Sequence, residues 1–492
     1  ACWMLLISCW LASPLAAQQE LAERPGPALS FDQATEVLLQ RSDSVRGDAM
    51  GLQAARDQVR AVRGLMLPSV SLDVLALRYQ KTYDVSLHDL QQTGGSVADQ
   101  LLGGLPGVAP GATASAVDSV TSALQQALPG VFGALPRHVK LQFQQNLVSP
   151  NLTVVQPIYM GGAIRSTQAA ADAAAAAASA HGEAGVEQQR LLLVQAYFGQ
   201  ALAGQAVSVA QQDLDGYEHH LSDARKLEQQ GVISHLRTME MTVARDAAAR
   251  QLLRAQGELK TSRDVLAVLL HQPGAVQLRT ALFVNRLGPG STQSFLDATE
   301  QGQPRLQEAD AGVDLARQGI RMARAAFLPK LYAFGSYNMN RDHALPTQPD
   351  WVVGLGLHYT LNSPVDRRAS LSAAHAREGQ AEARRDQLRQ DLRTSVLRAY
   401  DMLDTARLEY LSLSSSQAAA DENLRVHAVA FREGEDTAAE LIEARNRRSQ
   451  VQLQRAAAAY QYDLTLAGLL LASGQGEHFD DYLRRADREN VQ

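Results

Sequence analysis

The chain states one pattern twice, and that duplication limits its possible folds more than any other feature. Near residue 60 it reads Arg63-Gly64-Leu65-Met66-Leu67-Pro68-Ser69-Val70, and near residue 325 Arg324-Ala325-Ala326-Phe327-Leu328-Pro329-Lys330-Leu331. In each segment a helical stretch meets a proline, which cannot continue it, and residues suited to a strand follow directly. A long Ala/Gln/Arg-rich helical run comes later in both halves. A repeated unit of long helices and strand pairs suits a rotationally built tube better than an enzyme.

The spacings confirm the repeat. Arg165 opens the first long run and Arg368 the second, and the breaks at Gly231 and Gly434 fall 203 residues apart, as those two arginines do. Each outgoing helix, about 66 residues, would be roughly 100 Å long at 1.5 Å per residue. Return helices are expected over about Ser234–Leu270 and Ala438–Leu471. Helices this long need their faces covered by neighbours. The alanine tract beginning Ala169-Ala170-Ala171-Asp172-Ala173 allows the necessary close approach. With 5% aromatic and 20% charged residues, the composition suits packed helices rather than one large globular core.

Upstream of each run lie strand candidates. Ser30 or Asp32 is expected to cap a first helix running toward residue 64. After Pro68, residues 69–76 read as a strand with Val70, Leu72, Val74 and Ala76 on one face, and a returning strand is expected within 139–159. In the second half a helix over about Pro304–Phe327 precedes a strand over Leu331–Tyr337. The returning strand has the cleanest pattern: Trp351, Val353, Leu355, Leu357 and Tyr359 alternate with Val352, Gly354, Gly356, His358 and Thr360. Such alternation is expected of a membrane-facing barrel strand with a wet lumen, Trp351 and Tyr359 anchoring its ends. The edge of a soluble sandwich would alternate in the same way. The two junction prolines are 261 residues apart against 203 for the arms. The 58-residue excess falls within about 81–138, a glycine-rich stretch expected to be a long surface loop with one amphipathic piece, Ala116–Leu128.

The apolar start, residues 3–12, reads as the h-region of a secretory signal with an incomplete beginning, cut near Leu15-Ala16-Ala17. A buried N-terminal helix is the alternative. Leu6-Ile7-Ser8-Cys9 also resembles a lipoprotein cleavage box, which would make Cys9 a lipid carrier. Cys2 and Cys9 are the only cysteines, so cleavage would leave no disulfide. No later apolar run reaches the ~20 residues of a membrane-spanning helix. A formal charge of -6 gives no reason to expect nucleic acid as a partner.

In this order and at these spacings the chain resembles the TolC-like outer-membrane efflux protein family of Gram-negative bacteria, the exit ducts of tripartite pumps. The resemblance is carried by Leu29-Ser30-Phe31-Asp32-Gln33-Ala34, by the two Leu-Pro junctions, by Gln156-Pro157-Ile158-Tyr159-Met160-Gly161-Gly162, and by the segments after Gly231 and Gly434. It implies a mostly α fold with a membrane β-barrel contribution. Three identical chains would each lend four strands to a trimeric twelve-stranded β-barrel continuous with a long periplasmic α-helical barrel. The implied division is a signal over 1–17, a first helical segment over 18–67, and a first strand pair over 68–160 with its extracellular insertion. A helical hairpin over 161–271 and a linker over 272–303 follow. The second half has a helix over 304–328, a strand pair over 329–362, a hairpin over 363–474 and a tail over 475–492. The implied place is the outer membrane, reaching into the periplasm. The implied role is a passive, gated duct of efflux or type I secretion. It would work with a periplasmic adaptor (membrane fusion) protein, an inner-membrane RND or ABC-type transporter, and outer-membrane lipid. No cofactor, metal or catalytic residue is implied.

The resemblance also points to the tips of the hairpins. It places Glu440 and Glu443, with Asp436 and Phe431, at the narrow periplasmic gate. Adaptor docking falls to Gly231, Val232, Ile233 and Ser234 on one tip, and to Gly434 and Thr437 on the other. The spacing of Glu440 and Glu443 puts both on one helical face, giving up to six carboxylates around a three-fold axis. An acidic helix start would look the same. Phe431 stands where the family often has tyrosine, and Asp436 where some members have arginine. The first-half equivalents are Arg237 and Glu240, so the two hairpins differ in charge. His219, His220 and His235 with Glu218 lie near one tip, but neighbours on a helix point apart, and no zinc cluster is expected.

Two other readings fit parts of the pattern: a soluble periplasmic coiled-coil rod, extractable by salt where a barrel needs detergent, and an enzyme using the insertion. Deleting residues 94–130 is expected to leave trimers intact on native gels; their loss would contradict the surface placement of that stretch.

Overall fold

The computed structural model of the chain describes residues 26–86, 119, 138–340 and 349–491. The expected signal with Cys9, and the piece Ala116–Leu128 apart from Ser119, lie outside these residues. In chain order the elements of the first half are β1 (Ala28–Leu29), α1 (Phe31–Arg41), α2 (Asp43–Arg63), β2 (Ser69–Ser86), β3 (His138–Tyr159), α3 (Ala163–Gln229) and α4 (His235–Leu269). Then come β4 (Gln277–Leu278), β5 (Phe283–Asn285), α5 (Thr292–Gly302), α6 (Pro304–Ala325), β6 (Lys330–Asn338), β7 (Trp351–His358), α7 (Arg367–Arg432), α8 (Ala438–Ser473), α9 (Phe479–Leu483) and β8 (Arg488–Asn490).

The duplication extends further upstream than the prolines indicate. α1 and α5 are 11 residues each, and both they and the starts of α2 and α6 are offset by the same 261 residues as the prolines. Both leading helices open on serine caps. The Ser30 hydroxyl accepts from the Gln33 N–H while the Gln33 side chain accepts from the Ser30 N–H, and Ser291 accepts from the Ser294 N–H. The single first helix expected to run toward residue 64 is instead two. At Ser42 the backbone turns extended, and the Ser42 hydroxyl accepts from the Val45 N–H to start α2 afresh. Its repeat counterpart, Gln303, is also extended, and Pro304 follows as the first residue of α6.

The chain forms two compact units. One comprises Ala1–Val59, Ala170–Arg317 and His375–Gln492, the other Arg60–Ala169 and Gln318–Ala374. In the first, the rings of Phe31, Phe198, Phe283 and Phe479 cluster with centroids 5.0–6.0 Å apart, Phe31 and Phe198 stacked and the others tilted or edge-on. The Tyr197 hydroxyl ties this cluster to the backbone, donating to the Leu29 carbonyl at 2.8 Å and accepting from the Thr280 N–H at 3.0 Å. The stretches 272–303 and 475–491 are built into this core. β4 pairs with β1, and β5 with β8, because isolated anchors such as Val276, Leu282 and Leu483 are buried there. Asp463 of α8 is buried beside β5, its Oδ2 accepting from the Phe283 N–H at 3.4 Å.

The second unit carries one antiparallel sheet in the order β2-β3-β6-β7. Residues 81–86, expected in the insertion, continue β2, because each finds a partner on β3. One row runs across all four strands through Leu72, Leu152, Tyr337 and Trp351, and all four side chains are exposed. With Val353, Leu355 and Leu357, which are 70–74% exposed, they form an apolar face. The opposite face carries Ser71, Thr153 and Ser336 in one row and Asp73, Asn151 and Asn338 in another. There the glycines of β7 make room for rings: a Cβ at Gly356 would meet the Tyr332 ring at 2.5 Å, and one at Gly354 the Phe334 ring at 3.1 Å. β2 and β7 are the sheet's edges.

Burial pushes the Asp463 carboxyl well above the usual range, opposed by the Phe283 N–H and by Arg488. A group whose folded pKa is raised favours folding below that pKa and opposes it as pH rises. Asp463→Asn is therefore expected to stabilise the protein by roughly 1–3 kcal/mol at pH 8, the gap closing toward pH 4. Equal thermal midpoints for the two chains at both pH values would refute this.

Candidate functional site

The two helical hairpins turn at glycines in the left-handed region, Gly231 at φ 75° and Gly434 at φ 77°. Each turn is closed by backbone bonds reaching back into the preceding helix, from the Val232 N–H to the Leu227 carbonyl and from the Glu435 N–H to the Ala430 carbonyl, both 2.9 Å. This is the helix stop that glycine supplies most cheaply. The two turns are neighbours, since a Cβ at Gly434 would meet Val232 Cγ1 at 2.8 Å. Behind them Tyr217, Leu221, Met241, Phe431 and Leu441 form one apolar cluster drawn from α3, α4, α7 and α8.

The residues singled out in the sequence have distinct places. Val232 is exposed at its turn. Ser234 begins α4 with its side chain forming no capping bond. Thr437 caps α8, its hydroxyl accepting from the Glu440 N–H while Glu440 Oε2 accepts from the Thr437 N–H at 3.2 Å. Glu440 is thus partly occupied by its own helix end. Glu443 is exposed and pairs with Arg447 at 3.0 Å. Asp436 is largely covered and meets His427 Nδ1 at 2.5 Å. Partial burial works against its charge, but bonds with Glu440, His427 and the Thr437 N–H hold its carboxyl below the usual range. Phe431 is 1% exposed and serves as an anchor of the tip core, so its ring is not presented to solvent. The three histidines diverge: His219 faces Asp223, His235 faces Glu228, and His220 points inward.

His220 belongs to a polar contact between hairpins that sequence reasoning missed. Arg445 of α8, 8% exposed, crosses to α3. Its Nη2 lies 3.1 Å from His220 Nε2, its Nη1 donates to the Gln212 carbonyl at 3.3 Å, and Asp213 is 3.9 Å away. The guanidinium sits over the Tyr217 ring at 5.5 Å. Tyr217 donates to Asn446 at 2.9 Å, and Ser449 donates to Asp213 at 2.5 Å. Gly216 makes the crossing possible, because a Cβ there would land on the guanidinium. Asp213, Tyr217 and His220 share a face of α3 at helical spacing, as do Arg445 and Ser449 on α8. Charge-assisted bonds of this kind are strong when shielded from water, and costly to leave half made.

Electrostatics fit the geometry. Burial, together with Arg445 and His219, lowers His220 to about 4, so at neutral pH it is an uncharged acceptor for the guanidinium. Burial raises Asp213 against its bond to Ser449 and the pull of Arg445 and Arg448, and pushes the Tyr217 hydroxyl up to about 12. Among the described residues no group of His, Cys, Asp and Glu could hold a metal ion.

Known proteins share this construction. Residues 295–475 match the model of the Outer membrane efflux protein family. Protein CyaE of Bordetella pertussis is 27% identical over 256 residues, which is 50% of this chain and 53% of that protein, so the chain spans about half the length of this curated relative. In fold, the chain resembles a crystal structure of CusC with a TM-score of 0.70 and 17% identity, covering 91% of this chain and 92% of that one. It resembles the open state of the Neisseria gonorrhoeae MtrE outer membrane channel at 0.68 and 19%, covering 91% and 89%. The Campylobacter jejuni CmeC outer membrane channel follows at 0.69 and 13%, covering 92% and 89%. The resemblance to outer-membrane efflux proteins is therefore met twice, in sequence over residues 295–475 and in fold over nine-tenths of the chain.

A His whose folded pKa lies below its unfolded value of ~6.5 contributes stability that is whole above that value and lost as pH falls toward about 4. Asp213 has the opposite sign, so the histidine is isolated by comparing the native chain with His220→Gln, which keeps an acceptor and cannot protonate. Between pH 7 and pH 4 the native tip is expected to lose roughly 2–3 kcal/mol relative to the variant. Hydrogen exchange of the amides in α3 and α8 near residues 213–220 and 445–449 would measure it; parallel pH profiles would refute it.

Proposed function

We propose that this chain is the outer-membrane exit duct of a tripartite efflux or type I secretion system. Three copies close a twelve-stranded barrel in the lipid, and their helices form a tunnel in the periplasm. The observation that carries this reading is the sheet of the second unit. It has four strands, two edges, and an exposed apolar face rimmed by Trp351 and Tyr337. Backbone groups on an open edge have no water to bond in a bilayer, so such a sheet reaches a stable state there only by closing on further strands. Three copies supply twelve strands and leave no edge. Among the described residues no helix is long and apolar enough to cross a membrane.

The domain division implied by the family resemblance belongs to this proposal, with the strand pairs as the membrane part and the hairpins as the tunnel. An adaptor protein docks on the paired turns at Gly231, Val232, Ser234, Gly434 and Thr437, and an inner-membrane RND or ABC-type pump supplies the energy. The gate lies at the same tips. Glu443, exposed on α8 beside Arg447, and Glu440 ring the entrance, while Asp436 and Phe431 set the position of the second turn. Arg445 latches the two hairpins of each chain, so opening requires this contact to break or to travel as a unit.

Glu440 caps α8 as well as carrying charge, so glutamine is the informative replacement at that position: it retains an acceptor for the Thr437 N–H. In planar bilayers the Glu440→Gln, Glu443→Gln double variant is expected to lower cation preference several-fold and to relieve block by multivalent cations, with trimers intact. Unchanged selectivity and block would remove these residues from the gate.

A further inference from the structure

Four helix ends meet at the base of the sheet, all within the second unit. The Gln168 side chain, early in α3, donates to the Val62 and Arg63 carbonyls at the end of α2, at 3.2 and 3.3 Å. Gly161, just before α3, abuts the end of α6, where a Cβ on it would meet the Ala325 carbonyl oxygen at 2.9 Å. Arg367, the first residue of α7, donates to the Ala326 carbonyl at 3.1 Å and to the Leu361 carbonyl at 3.2 Å. These contacts bring the ends of α2 and α6 and the starts of α3 and α7 to one level. No more than eight residues separate any of these helix ends from its strand.

That level is basic. Residues 60–68, 157–169, 321–330 and 359–374 hold eight arginines and lysines against one carboxylate, Asp366. Asp366 is committed to its own helix, its Oδ1 accepting from the Arg368 and Ala369 N–H groups at 2.8 and 3.0 Å. Arg63, Arg165, Arg324 and Arg368 are exposed, and none of them forms an ion pair among the described residues. Apolar side chains stand among these cations: Leu67, Tyr159, Leu361 and Val365 are 47–84% exposed. Tyr159 pairs with Leu331, and Leu331 with Leu357, so these three form the last row of the sheet's apolar face on the helical side.

We propose that this level is a collar that binds the phosphate groups of anionic phospholipids, in the leaflet on the helical side of the barrel. This rests on the trimeric barrel proposed above. In that barrel the apolar face fixes where hydrocarbon ends, and the row of Tyr159 marks that depth. Residues a few positions farther toward the helices stand at headgroup height. Copies related by rotation bring the same residues to the same level, so assembly adds arginines there without adding free carboxylates. A guanidinium holds a phosphate through two parallel N–H bonds and keeps its charge at any working pH. Attraction to an anionic surface fades within about 10 Å at 0.1 M salt, so only charges at this height gain from it. An acidic protein is the other partner such charge could draw. The apolar residues interleaved with the arginines favour lipid, because they give its acyl chains a surface beside the headgroup.

Spin-labelled lipids test the collar on the full-length trimer in phosphatidylcholine vesicles. Labelled phosphatidylglycerol is expected to be about threefold enriched over labelled phosphatidylcholine in the motionally restricted shell, and high salt to bring the ratio toward one. The Arg63→Gln, Arg165→Gln, Arg324→Gln, Arg368→Gln variant is expected to lose the enrichment, and Arg→Lys at the same four positions to keep most of it. Equal shells of the two lipids around the parent trimer overturn the collar and leave an acidic protein as the partner of these arginines. Undiminished enrichment around the glutamine variant also overturns it, and both results leave the barrel standing. If the glutamine variant fails to assemble, the pairs Arg63→Gln, Arg324→Gln and Arg165→Gln, Arg368→Gln carry the same test, each expected to lose about half of the enrichment. A parent protein that salt strips from the vesicles, with no lipid shell, overturns the barrel reading itself.

Discussion

Backbone hydrogen bonding at the edges of one four-stranded sheet is the constraint on which the rest of the structure depends. Each edge strand presents N–H and C=O groups that must find partners, and in lipid only more strand can provide them. The row of Leu72, Leu152, Tyr337 and Trp351 leaves an apolar face exposed on the single chain, which the proposed barrel would turn to lipid. In the proposed barrel, one chain's sheet is only a third of the closed object. The duplication delivers two hairpins per chain, already paired through β3 and β6, and the proposed trimer would close by repeating that step.

Within one chain, the helical hairpins face a different problem. Long helices rich in alanine pack closely but offer little to distinguish one alignment from its neighbour a turn away. The aromatic cluster around Phe31 and Phe198 supplies a landmark in the core, and the Arg445 contact supplies one near the tips. A buried polar network satisfied in only one alignment selects that alignment, because any slip strands a guanidinium in a low-dielectric setting. It also distinguishes the two hairpins. The 203-residue offset places Thr242 and Ala419 where Arg445 and Gly216 stand in the other half, so this contact exists only once per repeat pair.

Polar groups at the tips serve two masters. Glu440 holds the start of α8 and also carries charge, and Asp436 is tied to His427 while adjoining the same cap. Glu443 has no structural duty beyond a surface pair with Arg447, and pairs of that kind contribute little to stability. A charge with so little structural work is the better candidate for acting on whatever passes.

The repeat, its glycine breaks, the proline junctions and the polarity of β7 were legible in the sequence, because each is a local signal: a fixed spacing, a residue that cannot continue a helix, a period of two. Ser42 escaped such a reading because a serine within a helical pattern declares itself a cap only when its neighbours leave the helix. The anchors in 272–303 and 475–492 escaped because single apolar residues in short strands carry no period. Arg445, Gly216 and His220 lie more than 220 residues apart in part, and nothing local joins them. Sequence alone determined the long helices, the strands that follow the two prolines and the glycine turns. Tertiary structure decided which charges are buried together and which face of each strand lies beside which neighbour, since burial and partnership are properties of the assembled chain.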